Sequence, residues 1–241
     1  MILLAAAMLA AAGPSAVPAT SAASCDLRSG PEEAACLAVG HQQAGRFAEA
    51  AAEFEKGAGM LRPGDPAGDR MLAAAGNMWI AAGQAGKAAL ALDRALAGAG
   101  LLADQRGEAL LDRARAAEAQ GDLKTARAKV RAAAESISDD PFLWYFSAAL
   151  AIREDDPVTA KLAIGRALSL APNDPAILFE AGHVFHFAGD DAQARAYWGR
   201  AAAADPNGTA GDSARRALAM VDVPLTVTNQ VTKEPIEENG E

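Results

Sequence analysis

One register runs through most of the chain and leaves few folds open to it. Residues 175–208, PAILFEAGHVFHFAGDDAQARAYWGRAAAADPNG, read as two amphipathic helices joined at Gly189-Asp190, with Pro206 after the second. Small residues stand where helices must approach closely (Gly182, Ala194, Ala201), and large ones lie between them (Leu178, Phe185, Trp198). One step of 34 residues back, in 141–174, Trp144 takes the place of Leu178, Ala160 of Ala194, Ile164 of Trp198 and Pro172 of Pro206. A further step, to 107–140, finds Leu110, Gly121-Asp122, Ala126, Val130 and Ala133 in the same places. Residues 69–102 and 31–64 carry the pattern to the start, with insertions at 65–68 and 103–106. Alanine holds one site in all five units: Ala50, Ala88, Ala126, Ala160 and Ala194. Glycine holds the turn in four: Gly45, Gly83, Gly121 and Gly189. In the remaining unit the turn is Asp155-Asp156-Pro157, where Asp156 can cap the helix that Pro157 opens. A single helix pair cannot bury its apolar face, so each unit demands a neighbour.

Over residues 31–208 this pattern resembles the tetratricopeptide repeat, a helix–turn–helix unit of about 34 residues. The resemblance implies an all-α fold: a right-handed α-solenoid of five repeats, at 31–64, 69–102, 107–140, 141–174 and 175–208. It is specific for fold and uninformative about function. After Asn207, the apolar stripe of Ala214, Leu218 and Val221 marks a capping helix over 209–222, which a solenoid needs to cover its last unit. Composition agrees, because 51% of the residues are apolar and alanine, the best helix former, dominates them. Three places depart from the pattern. Arg113 takes a slot that is elsewhere apolar. Gly57 lies inside a helical stretch, at a cost of about 1 kcal/mol relative to Ala. The Gly/Pro-rich link Pro63–Gly68 is the expected place for a bend, while 103–106 reads as an extra helical turn.

The termini read differently. Ile2–Ala12 is an unbroken apolar run, ended by Gly13-Pro14 and followed by small residues at Ser21-Ala22-Ala23. It is too short to span a bilayer, which takes about 20 residues. It matches a signal peptide, 1–23, except that no Lys or Arg precedes it; the alternative is a buried N-terminal helix. A linker, 24–30, follows. Cys25 and Cys36 are the only cysteines, and in an exported chain such a pair is expected to form a disulfide. Lipidation of Cys25 is the rival reading, since small residues precede it; Ala22 stands where lipoproteins usually carry Leu. Two free thiols remain if the chain is not exported. Residues 223–241 are polar and acidic and are expected to be disordered. No mature stretch has the length and apolarity of a membrane span, so the expected location is periplasmic or secreted.

Net charge is −9 and the pI about 4.9, which argues against nucleic acid and against anionic lipid as partners. No G-x-S-x-G, P-loop or glycine-rich dinucleotide turn occurs, so neither an enzyme nor a cofactor is expected. In the tetratricopeptide family, positions 2, 5, 9, 12 and 13 of each unit tend to line a concave groove. Carried over, they nominate a partner-binding set: Arg70, Asn77, Arg115, Glu118, Phe142, Tyr145, Arg153, Phe179, His183, His186 and Phe187. Glu108 also falls in the third unit's share. The N-terminal half of this set is polar and the C-terminal half aromatic. The aromatics suit an apolar peptide or helix, with Arg115 and Arg153 for its acidic groups; equally, they can be packing residues. The family's carboxylate clamp is missing, because Ala73 stands where it needs Lys and Arg115 where it needs Asn. Glu180, His183 and His186 share a helix face but lack a third strong ligand, so no metal site is expected. The expected function is a non-catalytic protein- or peptide-binding scaffold or adaptor of the bacterial envelope, its partner and oligomeric state unnamed. The alternatives are a binding or regulatory subunit of an envelope enzyme or polysaccharide machine, and a self-assembling structural protein.

Overall fold

The computed structural model describes Cys25 and residues 29–221. Among these residues there are eleven helices and no strand. Helices α1 (Pro31–Gln43) and α2 (Phe47–Met60) form the first pair, α3 (Pro66–Ala81) and α4 (Ala85–Ala97) the second. Helices α5 (Ala103–Ala119) and α6 (Leu123–Ala133) are the third pair, α7 (Pro141–Arg153) and α8 (Pro157–Leu170) the fourth. Helices α9 (Pro175–Phe187) and α10 (Asp191–Ala204) are the fifth, and α11 (Thr209–Val221) follows. The expected signal peptide and the tail lie outside the described residues.

All five turns close in one way. The second helix's N-cap amide donates to a carbonyl five residues back: Arg46 to His41, Gln84 to Trp79, Asp122 to Ala117, Asp156 to Ala151 and Asp190 to Phe185, at 2.8–2.9 Å. This six-to-one bond needs a residue with positive φ before it. Gly45, Gly83, Gly121 and Gly189 supply it at φ 70–80°. In the fourth pair Asp155 supplies it at φ 59°, a conformation that Asp tolerates better than most residues. Aspartates then cap the helix starts. Asp65, Asp140 and Asp174 accept from the amides of Ala67, Phe142 and Ala176, and Asp122, Asp156 and Asp190 from those of Thr125, Thr159 and Gln193. Each cap satisfies an amide that the helix itself leaves open, worth about 1 kcal/mol.

Packing follows the small residues. Ala50, Ala88, Ala126, Ala160 and Ala194 are each fully buried. A side chain at Gly76 would strike Leu92, and one at Gly182 would strike the Trp198 indole, so both glycines are contact points within a pair. Gly57 serves the seam between pairs: a Cβ there would lie 3.0 Å from Met71 and 3.2 Å from Ala34. That glycine lets α2 lie close to both α1 and α3. The chain turns at 63–65, with Gly64 at φ 86°, and 66–68 are already helix, since Asp65 caps α3 and Pro66 occupies its first turn. Residues 103–106 form the first turn of α5.

Polar side chains tie successive pairs. Arg113, in its non-apolar slot, reaches back to Asp93 on α4 at 2.8 Å. Arg127 on α6 crosses to α7, donating to Ser147 Oγ at 2.8 Å and to the Glu154 carboxylate at 3.0 Å. Arg200 on α10 donates to the Pro172 carbonyl at 2.8 Å. At the end of the stack, α11 packs on α10 and touches α9. Leu218, Val221, Phe179 and Phe185 close the cluster built on Leu178 and Trp198. Asp205 starts this helix by accepting from the amides of Ala210 and Gly211.

Candidate partner-binding groove

The first helices of successive pairs leave a hollow of about 350 Å³ between α1, α3 and α5, lined by Gln42, Arg70, Asn77, Gln105, Glu108 and Asp112 among others. Arg70 is exposed on its wall. Asn77 donates to Asp112 Oδ2 at 2.7 Å, and Arg115 donates to the other oxygen of that carboxylate at 2.8 Å. This three-residue network joins the second pair to the third. Beside it, Glu108 is pushed above the usual carboxylate range by partial burial first, and then by the charges of Asp104, Asp112 and Asp140. The cluster lowers the local potential, which favours cationic groups there.

Farther along, Phe142 and Tyr145 stack with centroids 5.4 Å apart and planes 18° from parallel. The Arg115 guanidinium lies 5.6 Å from the Phe142 ring. A smaller hollow of about 110 Å³ opens here, lined by Pro141, Phe142, Tyr145, Asp174, Ala176 and Ile177. Burial pushes the Tyr145 phenol well above its ordinary value, and the charges of Glu180 and Asp174 push it further, against Arg115. Glu180 is 9% exposed, and burial alone pushes its carboxyl up to about 7. It makes no hydrogen bond or ion pair with any described residue.

The nominated residues therefore divide. Arg70 and Asn77 line the larger hollow, and Phe142 and Tyr145 line the smaller. Arg115 and Arg153, expected to meet a ligand's acids, already hold carboxylates of their own chain: Arg115 pairs with Asp112 and Arg153 with Glu118. Phe179 meets His183 edge-on with centroids 4.4 Å apart, and His183 meets Trp198 edge-on at 5.6 Å. These two lie against the end of the core rather than extending the Phe142–Tyr145 shelf. The His183 Nε2 is buried without a partner, and burial, with the nearby His186, holds its ring below the ordinary histidine range. His186 is exposed and pairs with Asp191 at 2.7 Å, and Phe187 is half-buried. Among the described residues no group of three or more His, Cys, Asp or Glu side chains converges as a metal site would require. Cys25 and Cys36 form a disulfide across 11 positions, with Cys25 buried against α1.

Asp112 and Asp174 were not among the groove residues legible from the family positions. Asp112 stands sixth in its unit, outside the groove positions, and only its spacing of three from Arg115 hints at a pair on one helix face. Asp174 caps α9, and its second role depends on the helix two places back.

This architecture is that of a tetratricopeptide solenoid. No family model matches the chain, and no curated protein matches it in sequence. Solved structures share its fold. MamA is 15% identical with a TM-score of 0.58, over 73% of this chain and 92% of MamA. PilF of Pseudomonas aeruginosa is 15% identical with a TM-score of 0.62, over 78% of this chain and 82% of PilF. YrrB, described as a tetratricopeptide protein with an unusual peptide-binding site, is 15% identical with a TM-score of 0.55, over 76% of this chain and 91% of YrrB.

Proposed function

We propose that this chain is a non-catalytic adaptor that holds a segment of another protein in its concave groove. The observation that carries this reading is the hollow of about 350 Å³ between α1, α3 and α5, whose walls offer Arg70, Gln42 and Gln105 as well as Glu108. Mixed donors and acceptors of this kind suit a peptide backbone and its polar side chains. YrrB, alike in fold, is described as having a peptide-binding site, which supports the reading by analogy. The groove is the binding surface and Arg70, Asn77, Phe142 and Tyr145 are its contact residues. Phe179, His183 and the two paired arginines shape it from behind.

The adaptor works in the bacterial envelope. Support comes from the apolar run Ile2–Ala12 and from the Cys25–Cys36 disulfide, since such bonds persist in oxidising compartments. The test is a photo-crosslinking amino acid placed at Arg70 in the groove or at Leu90, 68% exposed on α4 away from it. One discrete adduct in the envelope fraction from Arg70, and none from Leu90, is expected. Equal adducts from both positions, or adducts from Leu90 alone, overturn the groove as the binding surface.

A further inference from the structure

Asp112 and Glu180 occupy the same place in the repeat. Each is sixth in its unit, and they are 68 residues, or two units, apart. Around Asp112 the fold supplies an amide and a cation. Asn77, ninth in the preceding unit, donates at 2.7 Å, and Arg115, ninth in its own, donates at 2.8 Å. Around Glu180 the same two places hold Ala149 and His183. Alanine has nothing to donate. Burial holds His183 below the ordinary histidine range, and its ring meets Phe179 and Trp198 edge-on. The result is a glutamate only 9% exposed as a residue, with no hydrogen bond or ion pair among the described residues.

The surroundings of Glu180 are those that a cation prefers. It continues the face of α9 that Ala176 begins, one turn on. Ala176 lines the smaller hollow together with Phe142, Tyr145 and Asp174. Asp174 is exposed and adds a second negative charge, and Arg115, which lies against Phe142, is engaged by Asp112. The π-face of an aromatic ring attracts an ammonium group and can bury its methylene stem. A carboxylate left unpaired in a buried place costs free energy that a matching charge recovers.

We propose that the Phe142–Tyr145 shelf, with Asp174 and Glu180, is a receptor for one lysine side chain of the segment bound in the groove. This deepens the adaptor reading and rests on it. The lysine would take at Glu180 the part that Arg115 plays at Asp112. Specificity comes from the missing internal cation, because a repeat with its own arginine has no vacancy for another.

The direct test is a nuclear magnetic resonance titration of the full chain with Nα-acetyl-lysine methylamide as probe. Its Nε-acetylated form and Nα-acetyl-glutamate methylamide serve as the neutral and anionic probes. Saturable shifts are expected at Phe142 and Tyr145 with the lysine probe only. The bound ammonium favours ionised Glu180, so affinity should rise at least threefold from pH 6 to pH 8. Tyr145 from α7, Asp174 from the turn before α9, Arg115 from α5 and His183 on α9 are the other titratable groups around the site; burial alone shifts Glu180. Glu180→Gln should weaken the probe at least fivefold and abolish the pH dependence. Asp174→Asn, which keeps the cap, should weaken it about twofold and leave the pH dependence in place. Equal binding of the neutral or anionic probe, shifts elsewhere, or no change on Glu180→Gln would overturn the proposal. Should the Arg70 crosslink persist while the lysine probe fails, the receptor is wrong and the groove stands; loss of both removes the groove.

Discussion

The two halves of the concave face handle charge in opposite ways. In the N-terminal half Asp112 is satisfied twice over by side chains from two pairs, and the adjacent space is a polar hollow. In the C-terminal half Glu180 stands at the same place with no hydrogen bond or ion pair among the described residues, near stacked rings and a smaller hollow. The backbone is alike in both. The difference rests on two substitutions of the repeat, Asn77 to Ala149 and Arg115 to His183. A repeat can thus change from self-satisfied to receptive without any change of fold, provided its packing residues stay.

The largest effect that separates the halves should come from Trp198→Ala. Trp198 is 2% exposed and anchors the last cluster, so its removal should cost about 3–5 kcal/mol. Solenoid stability is close to a sum of neighbour terms, so the loss should fall on α9–α11 first. Hydrogen exchange should show those helices unprotected while α3 and α4 keep their protection. Uniform loss along the chain would mean that the two halves fold as one unit.

Next comes the pH dependence that Glu180 imposes. Its folded value, about 7, lies above the ordinary 4.5. The folded chain therefore binds this proton more tightly, and the contribution is fully present below pH 4.5. It is lost as pH rises through the interval to about 7, by at most ~3 kcal/mol. Glu180→Gln should remove this part of the slope and make the chain more stable than the parent at pH 8. Urea midpoints at pH 5 and pH 8 measure both, and an unchanged slope would show Glu180 to be well solvated.

A smaller contrast lies in the two contact glycines. A methyl at Gly182 would press on the rigid Trp198 indole, and one at Gly76 on the branched end of Leu92. Overpacking of this kind costs about 1–3 kcal/mol. Gly182→Ala should stand at the upper end and Gly76→Ala at the lower, because leucine can change rotamer and indole cannot yield. Equal losses of melting temperature would count against this difference in compliance.

The smallest effect belongs to Asp112→Asn. It keeps an oxygen for Asn77 and removes the charge that Arg115 meets in a half-exposed place. The expected cost is about 0.5–1 kcal/mol, falling as salt is added. A loss above 2 kcal/mol, insensitive to salt, would show the pair to be far more shielded than its exposure indicates.

Much of this molecule can be read along the chain. The alanines at 50, 88, 126, 160 and 194, the turn glycines and the capping aspartates act over one or two turns of helix. Their roles follow from local stereochemistry and from a period that recurs five times. The boundary at Pro66 was less legible, since a Gly/Pro-rich stretch reads as a link until Asp65 is seen to cap it. The groove was legible only in part. The family positions identify Arg115 and Arg153 as lining residues that would meet a ligand's acidic groups. Asp112 and Glu118 neutralise them in the folded stack.

What the sequence alone determined is the unit, its count and its closure, because helix periodicity, small-residue contacts and left-handed turn residues are short-range and repeat in register. What only the tertiary structure decided is which charges remain unmet. Asn77 and Asp112 are 35 positions apart, and Arg153 and Glu118 the same. Whether such side chains meet depends on how far each pair is rotated against the last. Pairing in a partly buried groove changes sharply over an ångström or two, so two identical registers can end in a closed network at one acid and an open one at the other.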